Sequence, residues 1–101
     1  MNEDQDYLNI LRQLKKSPDS SQREMASSLG FSLGKFNYCL KSLKKKGLVK
    51  INNFKKNPNK INYLYIITPK GISEKTKLTV KFMQRKMKEF DELKNELEGE
   101  K

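Results

Sequence analysis

The sequence predicts a mainly α protein with one small β-hairpin, on three observations. Three stretches place apolar residues at helical spacing. A fourth opens on a capping box and closes on glycine, and two short runs of β-formers lie side by side between breaker residues. At 101 residues the chain makes one domain, or one small domain with an extension. A chain of this size buries only about 60–65% of its unfolded surface, so a partner chain would support its core.

Tyr7, Leu8, Leu11 and Leu14 fall on one face of a helix from about Asp4 to Lys16. Ser17-Pro18-Asp19 ends it. The second helix opens at Ser21-Gln22-Arg23-Glu24, where Ser21 and Glu24 can satisfy each other's free backbone donors, and stops at Gly30. Ser32 is the predicted N-cap of a third helix reaching about Lys46, with Gly47 as its stop. Leu33, Phe36, Leu40 and Leu43 form its apolar stripe, while Gly34, Lys35, Tyr38, Lys41, Ser42 and Lys45 occupy the opposite face. Leu48 to Asn53 and Tyr63 to Ile67 read as strands, joined by the breaker-rich turn Lys55-Lys56-Asn57-Pro58-Asn59-Lys60. Thr68 caps a last helix, Pro69 takes its first position, and it continues to about Glu98.

Helix, helix, glycine turn, helix, hairpin, helix is the order of a winged helix-turn-helix, in which the second helix of the turn can enter a major groove. We divide the chain into a winged helix-turn-helix unit, residues 1–70, and a C-terminal helix for dimerisation, residues 71–101.

Charge is segregated along the chain. Met25 to Ser73 holds ten lysines and no carboxylate, a net +10 that equals the charge of the whole molecule. Such a stretch attracts polyanions and speeds their encounter, which makes nucleic acid the first partner to test. A lysine-rich surface serving only solubility would normally mix signs. The solvent face of the third helix sets a tyrosine and small polar groups among its lysines, which suits base edges as well as phosphates.

Other classes are excluded or disfavoured. Without histidine there is no Ser-His or Cys-His pair, no imidazole base and, with a single cysteine, no Cys/His zinc site within one chain. No glycine-rich phosphate loop or paired-carboxylate motif appears, so the expectation is no enzyme, no cofactor and no metal. No apolar run of about 18 residues predicts a membrane span, and the acidic, polar start is unlike a signal peptide; the expected location is cytoplasmic.

Three stretches carry a family resemblance. The first runs from Ser21-Gln22-Arg23-Glu24-Met25-Ala26 through Ser32-Leu33-Gly34-Lys35-Phe36-Asn37-Tyr38-Cys39-Leu40-Lys41. The second is Asn62-Tyr63-Leu64-Tyr65 with Thr68-Pro69-Lys70-Gly71. The third is the tail from Lys75 to Leu93, with Leu78-Thr79-Val80 and Gln84-Arg85-Lys86-Met87 inside it. Together, from about Tyr7 to Leu97, the chain resembles the small MarR-like regulators associated with exopolysaccharide (EPS) gene clusters. The resemblance implies a bacterial-type transcriptional regulator with a winged-helix fold, and the link to exopolysaccharide genes rests on that resemblance alone. Larger MarR relatives dimerise through helices at both chain ends and hold small ligands beside that interface. With only a short N-terminal helix here, that ligand pocket is not carried over.

The expected duplex-DNA contacts are Ser32, Lys35, Asn37, Tyr38 and Lys41 in the groove and Lys44 and Lys45 on phosphates. Wing residues Lys55, Lys56, Asn57, Asn59 and Lys60 are expected on backbone or minor groove. Cys39, about 80° off the centre of the apolar stripe of the third helix at ~100° per residue, is expected as a small, half-buried packing residue, with no second cysteine to resolve an oxidised thiol. In the last helix, Ile72, Thr76, Thr79, Met83, Lys86, Phe90, Leu93 and Leu97 repeat at heptad spacing, with Val80 and Met87 beside them. Met83, Phe90, Leu93 and Leu97 are therefore the expected homodimer contacts. A protein-interaction module docking an acidic partner is the rival reading, and structured RNA a third. Only Tyr38 among the aromatics of the basic stretch is expected to point outward, which disfavours a single-strand stacking platform.

Overall fold

The computed structural model describes residues 2–57 and 60–100, with side chains for all of these except 2 and 53–62. Its elements run α1 (Asn2–Lys16), α2 (Gln22–Leu29), α3 (Leu33–Lys45), β1 (Val49–Asn57), β2 (Lys60–Ile67) and α4 (Pro69–Gly99). This is a winged helix-turn-helix followed by a long C-terminal helix, the architecture expected from the sequence.

The caps explain the boundaries. The Glu24 amide donates to Ser21 Oγ (3.1 Å), one of the two bonds of the expected capping box. Gly30 adopts φ 71°, and the Phe31 amide reaches back to the Ala26 carbonyl at 2.8 Å. A residue with a Cβ resists that left-handed backbone, so glycine permits the sharp turn into α3. The Lys35 amide donates to Ser32 Oγ at 3.1 Å, and the Gly71 amide to Thr68 Oγ1 at 3.0 Å.

α1 is the hub. Tyr7, Leu8, Ile10, Leu11 and Leu14 are all buried, against α3, α4, β2 and α2. The sequence reading had a single stripe and left out Ile10, because a helix enclosed on several sides shows no clean one-face period. Met25 and Ala26 of α2, Phe36, Cys39, Leu40 and Leu43 of α3, Leu48, Val49 and Tyr65 complete the core with Leu78 and Phe82 of α4. α4 enters the domain closely: a Cβ at Gly71 would stand 2.1 Å from the Leu48 carbonyl oxygen. That contact leaves no room for any side chain there.

Three expectations need correction. Leu33, assigned to the buried stripe of the third helix, is 39% exposed, because it sits at the first turn beyond the edge of the core. Cys39, placed on the flank of the stripe, is fully inside it at 4% exposure. The strands are longer than expected. Lys55, Lys56 and Asn57 extend β1 and Lys60 opens β2, with the register shifting between Lys55 and Asn57. Continued cross-strand pairing outcompetes the turn preferences of these polar residues.

α4 has 31 residues and stretches the molecule to 69 × 26 × 20 Å. Only its first half touches the domain. Beyond Phe82 its apolar residues stand in solvent, Phe90 at 65% exposure and Leu97 at 63%.

Candidate nucleic-acid interface

The burial of α3 fixes which way its remaining side chains face. With Phe36, Cys39, Leu40 and Leu43 inward, a ~100° step per residue centres the outward face on Gly34, Tyr38, Lys41 and Lys45. Tyr38 is 67% exposed, and Lys41, Lys44 and Lys45 are exposed with it. Asn37 is half-buried on the flank next to Lys44. The result is a convex basic helix face with one aromatic at its middle and no carboxylate from Met25 to Ser73 to oppose it.

The other flank belongs to the fold. Lys35 Nζ lies 3.2 Å from Asp6 Oδ2 and 4.2 Å from the centre of the Phe31 ring. Ser42, assigned to the solvent face, instead meets Tyr7: the tyrosine hydroxyl donates to Glu3 Oε1 (2.7 Å) and accepts from Ser42 Oγ (2.8 Å). Lys46 places its ammonium 4.6 Å from the Tyr7 ring centre. The acidic first turns of α1 therefore hold one side of α3. Helical periodicity could not show this, because the partners lie in a different element.

Ser32 stands at the start of α3, exposed, with its oxygen already accepting the cap bond. Its hydroxyl hydrogen and second lone pair are what it offers a partner. Gly34 is the centre of the outward face, and a Cβ built there meets nothing within 4 Å. No neighbour in the chain requires a glycine at that position, although glycine costs a helix about 1 kcal/mol relative to alanine. Of the expected wing contacts, Asn59 lies outside the described residues, as do the side chains of Lys55, Lys56, Asn57 and Lys60. Lys50 and Asn52 of β1, not singled out from the sequence, are exposed as well.

Cys39 has no part in this surface. Burial pushes its thiol up, Asp6 adds to that, and Lys35 only partly opposes it. A thiol held protonated in a core is a poor nucleophile and a poor redox sensor. Among the described residues no cluster of His, Cys, Asp or Glu is placed to hold a metal, and no helix is long and apolar enough to cross a membrane.

A glycine-turned helix pair, an outward basic second helix and an adjoining hairpin make up a winged helix-turn-helix. Comparison with known proteins agrees. Residues 8–50 match the family model described as winged helix-turn-helix DNA-binding. Curated proteins give no significant sequence match. Among solved structures, the transcriptional repressor CouR bound to a 23-mer DNA duplex superposes with TM-score 0.70 at 22% identity, over 85% of this chain and 59% of that one. The PcaV regulator from Streptomyces coelicolor, in complex with its natural ligand, gives 0.67 at 18%, over 77% of this chain and 54% of that one. A transcriptional regulator homologue from Pyrococcus horikoshii gives 0.63 at 18%, over 84% and 82%. The chain thus shares its fold with these solved regulators, and it spans little more than half the length of several of them.

Proposed function

We infer that the chain is a homodimeric transcriptional regulator of the MarR type that binds specific duplex DNA. The observation that carries this reading is the outward face of α3, where Tyr38, Lys41 and Lys45 surround Gly34 on a helix free to enter a major groove. Ser32, Lys35, Asn37, Tyr38 and Lys41 serve the groove, and Lys44 and Lys45 the phosphates. Lys55, Lys56, Asn57, Asn59 and Lys60 of the hairpin serve the neighbouring backbone or minor groove. Lysines on phosphates give affinity without sequence information. Specificity then rests on the first two turns of α3 and on the shape of the DNA. Lys35 reaches DNA only by leaving Asp6, so its contribution is smaller than that of Tyr38. The proposed link to exopolysaccharide genes rests on the sequence resemblance.

Exchange of side chains separates these roles. Tyr38→Ala should narrow the gap between operator and random duplex by about 1–3 kcal/mol, the value of a lost base contact. Lys55→Ala with Lys56→Ala should weaken every duplex about equally and flatten the salt dependence. Competition binding checks both; loss of discrimination in the wing variant, with full discrimination kept by the Tyr38 variant, would reverse the assignment.

Gly34 gives an expectation of opposite signs. Gly34→Ala should raise thermal stability, by up to about 1 kcal/mol from helix propensity alone. The same methyl should weaken duplex binding, because it stands at the centre of the face that enters the groove, where α3 and the DNA approach most closely. An alanine variant more stable and equally tight would show that nothing packs against this glycine.

The dimer reading comes from α4. Its stripe of Met83, Phe90, Leu93 and Leu97 is exposed along the part of the helix that leaves the domain. Pairing two copies removes that surface from water. In this reading residues 1–70 bind DNA and residues 71–101 join the protomers.

A further inference from the structure

α4 carries two separate faces. Gly71, Leu78 and Phe82 turn one side into the domain, while Ile72, Met83, Phe90 and Leu97 lie about 100° round the helix and stay exposed. The exposed stripe is continuous from the domain to the helix end.

Charge along α4 is divided as sharply as along the whole chain. Pro69 to Lys86 has six basic residues and one acid; Met87 to Gly99 has five acids and two basic residues. An in-register parallel pair would lay basic half on basic half and acidic half on acidic half. It would also oppose Lys86 to its own copy inside the seam. An antiparallel pair reverses every one of these terms.

The heptad positions fit that arrangement. In an antiparallel pair centred near Lys88, Met83 meets the partner's Leu93, Thr79 meets the partner's Leu97, and Lys86 lies along the partner's Phe90. Lys86 keeps its own Glu89 at 3.7 Å, and its stem can cover the aromatic ring. The partner's Glu96 then arrives beside Phe82. Phe82 forms a wall of an open groove of about 530 Å³ between α1 and α4, floored by Leu8 and rimmed by Arg12, Lys75 and Lys86. An apolar floor with a basic rim matches an amphipathic helix end bearing Leu93 and Leu97 next to Glu92 and Glu96.

We propose that the dimer forms by antiparallel exchange: the acidic C-terminal half of each α4 docks on the basic first half of the partner's α4 and into the groove beside its α1. This rests on the dimer reading above and specifies its geometry. The segment that seats each domain, Gly71 to Phe82, then lies about 35 Å from its copy along the pair, at ~1.5 Å per residue. That offset is close to one turn of B-DNA, ~34–36 Å.

Cysteine cross-linking tests it on the full chain, since the native Cys39 is buried. Met83→Cys and Leu93→Cys proteins, mixed and mildly oxidised, should give a disulfide-linked heterodimer, while either protein alone gives at least tenfold less. Self-linking of each single variant as efficient as the mixture would overturn the antiparallel geometry and leave the dimer standing. A wild type that sediments as a monomer at micromolar concentration would overturn both. An exchange of charges gives a second reading. Glu96→Arg should raise the dimer dissociation constant, and adding Arg12→Glu should bring it back toward wild type; an additive loss would contradict the docking of this acid beside that arginine.

Discussion

Raising salt from 50 to 200 mM should cost the protein about 10³–10⁵ in affinity for nonspecific duplex DNA, if a dimer neutralises roughly six to ten phosphates. Each phosphate contact releases condensed counterions and contributes about −0.9 to the slope of log K against log salt. The residues available for this are the outward lysines of α3, Lys50 at the base of β1, and the hairpin lysines. They act together because no carboxylate lies in their stretch of chain to neutralise them. A slope near zero would mean that this positive surface touches no nucleic acid backbone.

The second large effect belongs to the helix end. Phe90→Asp with Leu93→Asp should convert the dimer to monomer in analytical ultracentrifugation while leaving the circular dichroism of the winged domain unchanged. Neither side chain is part of the domain core, so the domain loses nothing when they change. In the dimer the charge at position 93 would be enclosed against the partner's Met83 at a desolvation cost, and loss of the Phe90 ring would remove the apolar surface that the stem of the partner's Lys86 covers. Operator binding should fall with dimerisation, because a two-fold dimer reads two half-sites at once and a monomer reads one. The operator itself should be an inverted repeat with half-sites about 10–10.5 bp apart or a multiple of that. A double variant that stays dimeric would mean that α4 pairs through another face.

The element order and nearly all the helix caps were legible because each rests on local chemistry. Ser21, Ser32 and Thr68 accept the amide three residues on, Gly30 takes the positive φ, and Pro69 needs no donor. The outward position of Tyr38, Lys41 and Lys45 followed from the 3.6-residue period alone. What the sequence concealed are contacts made between elements. Nothing local marks Lys35 as the partner of Asp6, or Ser42 as the donor to Tyr7, because these pairs join α3 to a helix some thirty residues earlier. Leu78 and Phe82 were overlooked as core for a related reason. α4 uses one face for its own domain and another for the exposed stripe, so two periodic signals overlap in one helix. The length of the strands was hidden by Lys55, Lys56 and Asn57, residues that favour turns when read singly.

The central claim is that the basic face of α3 reads duplex DNA. Filter binding of the wild-type protein to duplex DNA, single-stranded DNA and double-stranded RNA of one random sequence, each at several salt concentrations, tests it most directly. The deep, narrow major groove of an RNA duplex shuts out a recognition helix, and a single strand offers no groove. Duplex DNA should bind tightest at every salt concentration, and Tyr38→Ala with Lys41→Ala should remove most of that preference. Equal affinity for all three, or a preference for duplex DNA untouched by the α3 substitutions, would contradict the account.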